Sequence, residues 1–382
     1  MGKIIVGFIF MRRYLEDQIR QDLNKKMVFL TGPRQCGKTT LAMNLIKKDL
    51  SRYLNWDIYE DRDKILKKNF PSSSGYFVLD EIHKFARWRN LLKGLFDSRK
   101  NELKILVTGS AKLEHYRRGG DSLQGRYHLL RLHPLTIKET GKKDQKTLEC
   151  LLNLGPFPEP YLSNNQTESR RWSKEYRTRV IHEELTSLEK VSEISLIDLL
   201  SLRLIDSAGS ILSINSLRED LEVSHKTVKR WIDILSNLYH IYRVYPFGSS
   251  KIKAVKKESK LYFFDWNLIE DSGARFENMV ANHLLKWCNY IEDTQGYDTE
   301  LRMYRDLEKR EVDFVILKNR RPIEFIEVKK SKQSIDPNLI YLKKKFPEVE
   351  ATQICLEQCE DSRIGDYNIR QCCALDYLWE KI

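Results

Sequence analysis

The stretch Gly32-Pro-Arg-Gln-Cys-Gly-Lys-Thr39 constrains this chain more than any other. It has the spacing G-x-x-x-x-G-K-[ST], follows the apolar run Met27-Val-Phe-Leu-Thr31, and opens the amphipathic stretch Thr39 to Ile46. A glycine-rich turn between a buried strand and a helix N-terminus is a phosphate cradle. The glycines let the backbone close round the phosphates, while loop N–H groups and the helix dipole supply positive potential. Gly32, Pro33, Arg34, Gln35, Cys36, Gly37, Lys38, Thr39 and Thr40 are therefore the expected nucleotide-binding residues, with Lys38 on the β/γ-phosphates and the Thr39 hydroxyl on Mg²⁺. ATP with Mg²⁺ is the expected ligand pair.

Such a loop needs an acidic partner at the end of another buried strand, as in a Walker B segment, and Tyr76-Phe-Val-Leu-Asp80-Glu81 supplies one. Asp80 is expected to hold the Mg²⁺ shell and Glu81 to orient and deprotonate the attacking water. The alternative is that the two carboxylates cap the helix starting near His83. Leu103 to Ser110 reads as a further buried strand ending in hydroxyls, with Ser110 or Thr108 as the candidate sensor of the γ-phosphate. Arg126, with Arg117 and Arg118 as competitors, is the candidate to neutralise the transferring phosphoryl group, in cis or from a neighbouring copy.

From Met27 to about Leu132 short apolar runs alternate with amphipathic stretches, which reads as α/β with a mostly parallel sheet. Three prolines within Gly155–Pro160 predict a break without regular structure, and Trp172 to Glu189 reads as a charged helix. Ile194 to Ser207, Ser216 to Leu221 and Lys226 to Leu238 follow a helical period, then Ile241 to Tyr245 and Leu261 to Phe264 a strand-like one. Three helices and two strands give the layout of a winged helix-turn-helix. Ser224 would cap its last helix, whose first turns carry His225, Lys226, Lys229 and Arg230 as candidate nucleic-acid contacts; the basic stretch Lys251 to Lys260 would be a wing on the phosphate backbone. A protein-binding or spacer role stands beside that reading.

Beyond Gly273 the expected elements are a helix over Phe276 to Trp287, strands at Leu301 to Tyr304, Val312 to Leu317, Ile323 to Val328 and Thr352 to Leu356, and a helix over Asp336 to Phe346. Glu277 lies on the first helix, Asp313 on the second strand, and Glu327 and Lys329 share one face of the third because strand side chains alternate. Carboxylates for Mg²⁺ and a lysine for the attacking water are what metal-assisted phosphodiester hydrolysis requires. A solvated charged strand face is the plainer meaning of Glu327-x-Lys329 alone.

Together these pieces resemble the prokaryotic AAA-like P-loop ATPases with GPRQxGKTT, LDEIHK, TGS and SLxGR segments and a C-terminal nuclease-like domain. The matching residues are Gly32 to Thr40, Leu79 to Lys84, Thr108 to Ser110, Ser122 to Arg126 and Pro156 to Pro160, and the resemblance runs from Met11 over nearly the whole chain. It implies an ATPase core of the additional-strand type, Arg126 as sensor or finger, and a C-terminal domain of the PD-(D/E)XK kind. Cys36 departs from the small apolar residue expected there. The domain layout is then a disordered tail, or an over-extended start with translation from Met11, at 1–10, an AAA-like domain at 11–140, a helical hinge at 141–190, the winged helix at 191–270 and the nuclease-like module at 271–382.

Composition fits a cytoplasmic protein without membrane spans. The first ten residues hold too short an apolar run to cross a bilayer, and charged residues make up 31% of the chain. The net charge of +12 favours a polyanion such as DNA or RNA, though exposed lysine faces also produce it. Seven cysteines without metal spacing fit a reducing compartment, and alkylation of Cys36 is expected to block nucleotide entry. The leading expectation is an ATPase whose nucleotide state controls nucleic-acid engagement and a metal-dependent nuclease site. The alternative is a nucleotide-operated switch that binds a protein or nucleic acid, with a nuclease-like domain that holds substrate without cutting; a protein partner or homo-oligomer is also expected.

Overall fold

The computed structural model describes residues 11–109, 123–184, 193–247, 258–357 and 359–381. Its first sheet is built round the P-loop strand β1 (Met27–Thr31), buried at every position, with β2 at Tyr53–Asn55, β3 at Gly75–Asp80, β4 at Leu103–Thr108 and β5 at Tyr127–Arg131. The order is β2-β3-β4-β1-β5 and every pairing is parallel. Strands covered on both faces carry unbroken apolar runs, and alternate residues still go to opposite sides. Val28 and Leu30 face Leu41 and Leu45 of α2 (Lys38–Leu45) and border α1 (Glu16–Asp22), whereas Phe29 faces Leu92 and Leu95 of α4 (Trp88–Arg99) and Ile65 of α3 (Tyr59–Leu66). Because β4 stands between β1 and β3, Leu30 and Asp80 both lie in register with Thr108. That register brings the P-loop, Asp80 and Thr108 to one carboxyl edge of the sheet, where parallel α/β sheets bind ligands.

Beyond β5 the chain forms α5 (Gln145–Leu154), α6 (Pro158–Ser163) and α7 (Gln166–Arg179). The expected break at Gly155–Pro160 is thus confined to its first three residues. Pro158 takes the first helical position and Pro160 is still in the first turn, where a helix has no partner for the missing N–H. Phe157, Trp172 and Tyr176 stack within 4.9 Å of one another and belong to the same apolar cluster as Leu30 and Leu41.

Next come α8 (Ile194–Ile205), α9 (Ile214–Asp220) and α10 (His225–Asn237), then the antiparallel pair β6 (Ile241–Pro246) and β7 (Lys260–Phe263). Bridges from Ala208 and Ile211 to Leu261 and Lys260 tie the helices to β7. This hairpin does not stand alone. Tyr245 and Pro246 pair with Arg302 and Met303 of β8 (Thr299–Arg305), which with β9 (Glu311–Lys318), β10 (Arg321–Lys329), β11 (Glu350–Cys355), β12 (Ser362–Ile364) and β13 (Ile369–Cys373) makes a sheet of order β12-β13-β11-β10-β9-β8-β6-β7.

The remaining elements are α11 (Ser272–Gln295), α12 (Pro337–Lys345) and α13 (Ala374–Glu380). β8/β9 and β9/β10 are antiparallel, while β10/β11 is parallel across α12. α11 is about twice the expected helix. Asp271 caps its start by accepting from the Ala274 N–H at 2.8 Å, and Gly296, at φ 74°, ends it. Its last turns are polar yet ordered, because they lie along β5 of the first sheet. Among the described residues, no helix is long and apolar enough to cross a membrane.

Candidate functional site

Gly32 and Gly37 adopt φ values of 144° and 100°. A Cβ on Gly32 would stand 2.2 Å from the Leu132 carbonyl oxygen, and one on Gly37 would stand 2.8 Å from the Arg13 guanidinium. Both glycines are thus required by backbone geometry as well as by phosphate access. Lys38 Nζ donates to the carbonyls of Gly32 and Pro33, folding over its own loop. Beside Thr39 and Thr40 opens a cavity of about 490 Å³, walled by Met11, Met43, Leu135, Pro158 and Leu162. Its size and apolar walls suit the base and sugar of a nucleotide, and Pro158 gives the proline-rich segment a place in it.

Cys36 corrects one expectation. Its side chain is fully buried under the loop, with Sγ 3.4 Å from the Leu132 carbonyl, so it does not line the phosphate side. Native protein treated with iodoacetamide is expected to leave Cys36 unmodified by peptide mass spectrometry, while the denatured chain is labelled there; ready native labelling would contradict this burial.

The acidic strand end is brought to the P-loop. Asp80 accepts from the Thr39 hydroxyl at 3.1 Å, the Thr108 hydroxyl at 2.6 Å and the Tyr53 hydroxyl at 2.6 Å. Thr108 therefore orients Asp80. Tyr53 was invisible to motif reasoning, since only the β2/β3 register carries it there. Glu81 follows in a left-handed backbone (φ 54°), costing about 1–2 kcal/mol for a residue with a Cβ, and is pinned by its N–H to the Thr108 carbonyl at 2.9 Å. Its side chain makes no cap bond to the following turn and reaches Lys84 at 3.2 Å. Burial raises the Glu81 carboxyl above its usual range, with Lys84 opposing and Asp80 adding to the rise.

Arg126 is not brought to this edge. It precedes β5, where its carbonyl accepts from the Met27 N–H at the start of β1, and its guanidinium is paired with Asp97 at 2.8 and 3.0 Å. The P-loop lies at the other end of β1, roughly 15 Å away at about 3.3 Å per residue. A role in cis is therefore corrected by distance. Ser110, Arg117, Arg118 and Ser122 lie outside the described residues.

Comparison with known proteins agrees with this geometry. The family model described as AAA domain matches residues 24–141. The N-terminal part of the chain thus matches an AAA domain around its P-loop. Behind this AAA domain, two families described only as domains of unknown function match residues 145–270 and 272–374. The chain is 25% identical over 333 residues to the uncharacterized protein Rv2008c of Mycobacterium tuberculosis, covering 81% of this chain and 75% of the relative. It is 23% identical over 388 residues to the uncharacterized protein MJ1637 of Methanocaldococcus jannaschii, covering 83% and 78%. Among solved structures, the Hsp104–ADP complex of S. cerevisiae is similar at 13% identity with a TM-score of 0.28, over 74% of this chain and 44% of that one. The chain thus spans less than half the length of that solved protein.

A buried polar chain leads away from the AAA domain's P-loop. Arg13 donates to the Cys36 carbonyl, to the His133 carbonyl and to Glu139. Glu139 also accepts from Lys286, which sits on α11 and donates to the Thr136 hydroxyl at 3.2 Å. Burial pushes the Glu139 carboxyl up, but Arg13 and Lys286 outweigh it and hold it at about 2. Nearby, Arg131 of β5 pairs with Glu292 and Asp293 of the same helix, each at 2.6 Å. Sequence separations of 126 and 147 residues hid these contacts from any local pattern.

At the other end of α11, Glu277, Asp313, Glu327 and Lys329 are drawn together with two residues that motif reading missed. Lys260 reaches Glu277 at 3.1 Å, Glu311 at 2.8 Å and Asp313 at 2.9 Å. Tyr262 donates to Glu277 at 2.7 Å. Lys329 pairs with Glu327 at 2.7 Å and Asp336 at 2.9 Å. Burial, then Asp313, raises both carboxyls, Glu277 to about 7 and Glu327 to about 8. Among the described residues, no three acidic, His or Cys groups converge as metal ligands. Of the basic wing, only the Lys260 end can be corrected. Lys260 is buried and faces acids, and 251–257 lie outside the described residues. On α10, Ser224 caps as expected by accepting from the Thr227 N–H at 3.1 Å; Lys226 and Arg230 are exposed, Lys229 is half-buried, and Trp231 and Ile232 turn inward.

Proposed function

We propose that the chain is an ATP- and Mg²⁺-dependent hydrolase whose nucleotide state controls what its C-terminal module engages. Thr39 and Asp80 would hold the Mg²⁺. Their hydroxyl and carboxylate already meet and form the hard-oxygen set that this ion takes. Bound there, the ion would neutralise phosphate charge. Lys38 would leave the loop carbonyls for the phosphates, and Glu81 would take the proton of the attacking water.

The observation that carries control, beyond hydrolysis, is the buried chain from the Cys36 carbonyl through Arg13 and Glu139 to Lys286. A P-loop that tightens on phosphate shifts the carbonyl that Arg13 holds, and α11 carries the other end of that link. Glu277 lies nine residues earlier on the same helix, about 13 Å away along its axis.

For the engaged partner, the exposed Lys226 and Arg230 with half-buried Lys229 support DNA or RNA, because such a helix face meets phosphates. The sequence α11-β8-β9-β10-α12-β11, with its antiparallel, antiparallel and parallel pairings, supports the PD-(D/E)XK reading of the C-terminal module, and three helices with a hairpin support the winged helix. An arginine finger at Arg126 belongs to assembly, since only a neighbouring copy's nucleotide would lie within its reach. A second reading, a switch whose nuclease-like module does not cut, is favoured by Lys260 among the carboxylates.

The test pairs ATP hydrolysis with cleavage of a panel of DNA and RNA substrates in Mg²⁺ or Mn²⁺, for wild type, Lys38→Ala and Asp313→Ala. Lys38→Ala is expected to lower hydrolysis at least about a hundredfold, as loss of a transition-state cation does. Full hydrolysis in that variant would refute the ATPase assignment. Cleavage lost in Asp313→Ala would establish the cutting reading; no cleavage of any substrate, or cleavage unchanged in that variant, would establish the other.

A further inference from the structure

We propose that Lys260 is the resident cation of the C-terminal carboxylate cluster, standing where a nuclease of this topology would hold a divalent metal, so that the module carries no metal and does not cleave phosphodiesters. The site is given by contacts; only the place where a metal would be expected rests on the nuclease-like reading above.

An ammonium has three N–H donors. Lys260 has three carboxylate neighbours, Glu277, Glu311 and Asp313, at 2.8 to 3.1 Å, so its donor set is fully used. Oxygens fanned about a nitrogen at these distances would each have to close by about 0.8 Å to ligate Mg²⁺ at its usual ~2.1 Å. Other acceptors of the cluster are occupied too. Asp313 Oδ2 accepts from the Val328 N–H at 3.0 Å, Glu311 pairs with Arg305 at 3.0 Å, and Glu327 is held by Lys329. The Lys260 side chain is 4% exposed, so water does not compete for these contacts.

Backbone pairing fixes the lysine in this position. β7 pairs with β6 along Ile241–Val244, and Ile211 bridges to Lys260 itself, so its side chain is delivered by two segments of the preceding domain. Burial disfavours the charged amine, but Asp313, Glu277 and Glu311 together outweigh it and raise its pKa, so it stays a cation at every working pH. Three acids with one internal cation form a structural cluster that joins the hairpin to α11 and β9. A divalent ion entering it would have to expel a charged lysine from these three acids.

The experiment is Mn²⁺ titration of the full chain without nucleotide, followed by electron paramagnetic resonance of the free ion up to about 1 mM, the weak end of oxygen-ligand sites. Wild type is expected to show no uptake that Asp313→Asn removes, whereas Lys260→Met is expected to gain one Mn²⁺ bound at least about tenfold more tightly than by wild type. Should Lys260→Met fail to fold, thermal melting decides: wild type, Glu277→Gln and Asp313→Asn are all expected to show no Mn²⁺-induced rise in Tm. One Mn²⁺ bound by wild type and lost in Asp313→Asn, or a Tm rise in wild type that both carboxylate variants lose, overturns the proposal. So does Mn²⁺-dependent cleavage that needs Asp313. Since every arm is read without ATP, a failure of the ATPase reading would leave these outcomes unchanged.

Discussion

Glu81→Gln is expected to retain ATP binding and to slow hydrolysis by about 10²–10⁴-fold, the usual contribution of a positioned general base. The substitution is isosteric and leaves Lys38, Thr39 and Asp80 in place. Glu81 is held by its backbone bond to Thr108 and by its left-handed backbone, so the glutamine would occupy the same position without a basic oxygen. Burial raises the Glu81 carboxyl, which moves a base toward neutrality. Wild-type kcat/KM should therefore rise with pH through an acid limb above the ordinary glutamate value near 4.5, and the variant should lack that limb. Single-turnover hydrolysis and binding of a fluorescent ATP analogue are the measurements. Hydrolysis within about threefold of wild type would remove Glu81 from the mechanism.

Glu139→Gln is expected to cost about 3–5 kcal/mol of folding stability, because it leaves two buried cations, Arg13 and Lys286, without their shared anion. The pH dependence follows from the same cause. The Glu139 carboxyl titrates at about 2 in the folded chain against 4.5 for the ordinary group. Its contribution is therefore fully present above about 4.5 and is lost as pH falls from there through about 2. Acid titration followed by circular dichroism should show wild type losing this stability over that window. Glu139→Gln should already lack it at neutral pH and show a shallower acid dependence. Equal denaturant midpoints for the two proteins would mean that the buried chain holds nothing together and transmits nothing.

Much of the AAA domain could be read directly from its residues, because each part is local. Gly32 to Thr39 lies within one turn, β1 and β3 are unbroken apolar runs, and Asp80-Glu81 ends a strand. Chain order alone left the position of Arg126 open, since being near a motif in sequence does not say which end of a sheet a residue occupies. The helix at Pro158 was misread for a local reason as well. A proline breaks a helix interior but fits a first turn, and the residues alone do not say where the turn begins.

In the C-terminal half, Glu277, Asp313, Glu327 and Lys329 were found from strand alternation and spacing, and the fold does gather them. Lys260 was read as part of a basic wing because its neighbours in sequence are lysines. Pairing of β6 with β7 and of Ile211 with Lys260 turns it inward instead. The sequence by itself determined the phosphate cradle and the kinds of side chain available to each site, because short-range backbone rules fix both. Only the tertiary structure decided which charge meets which. Tyr53 on Asp80, Arg13 and Lys286 on Glu139, and Lys260 among three acids are pairings between positions 17 to 147 residues apart, set by strand register and helix docking that no local pattern encodes.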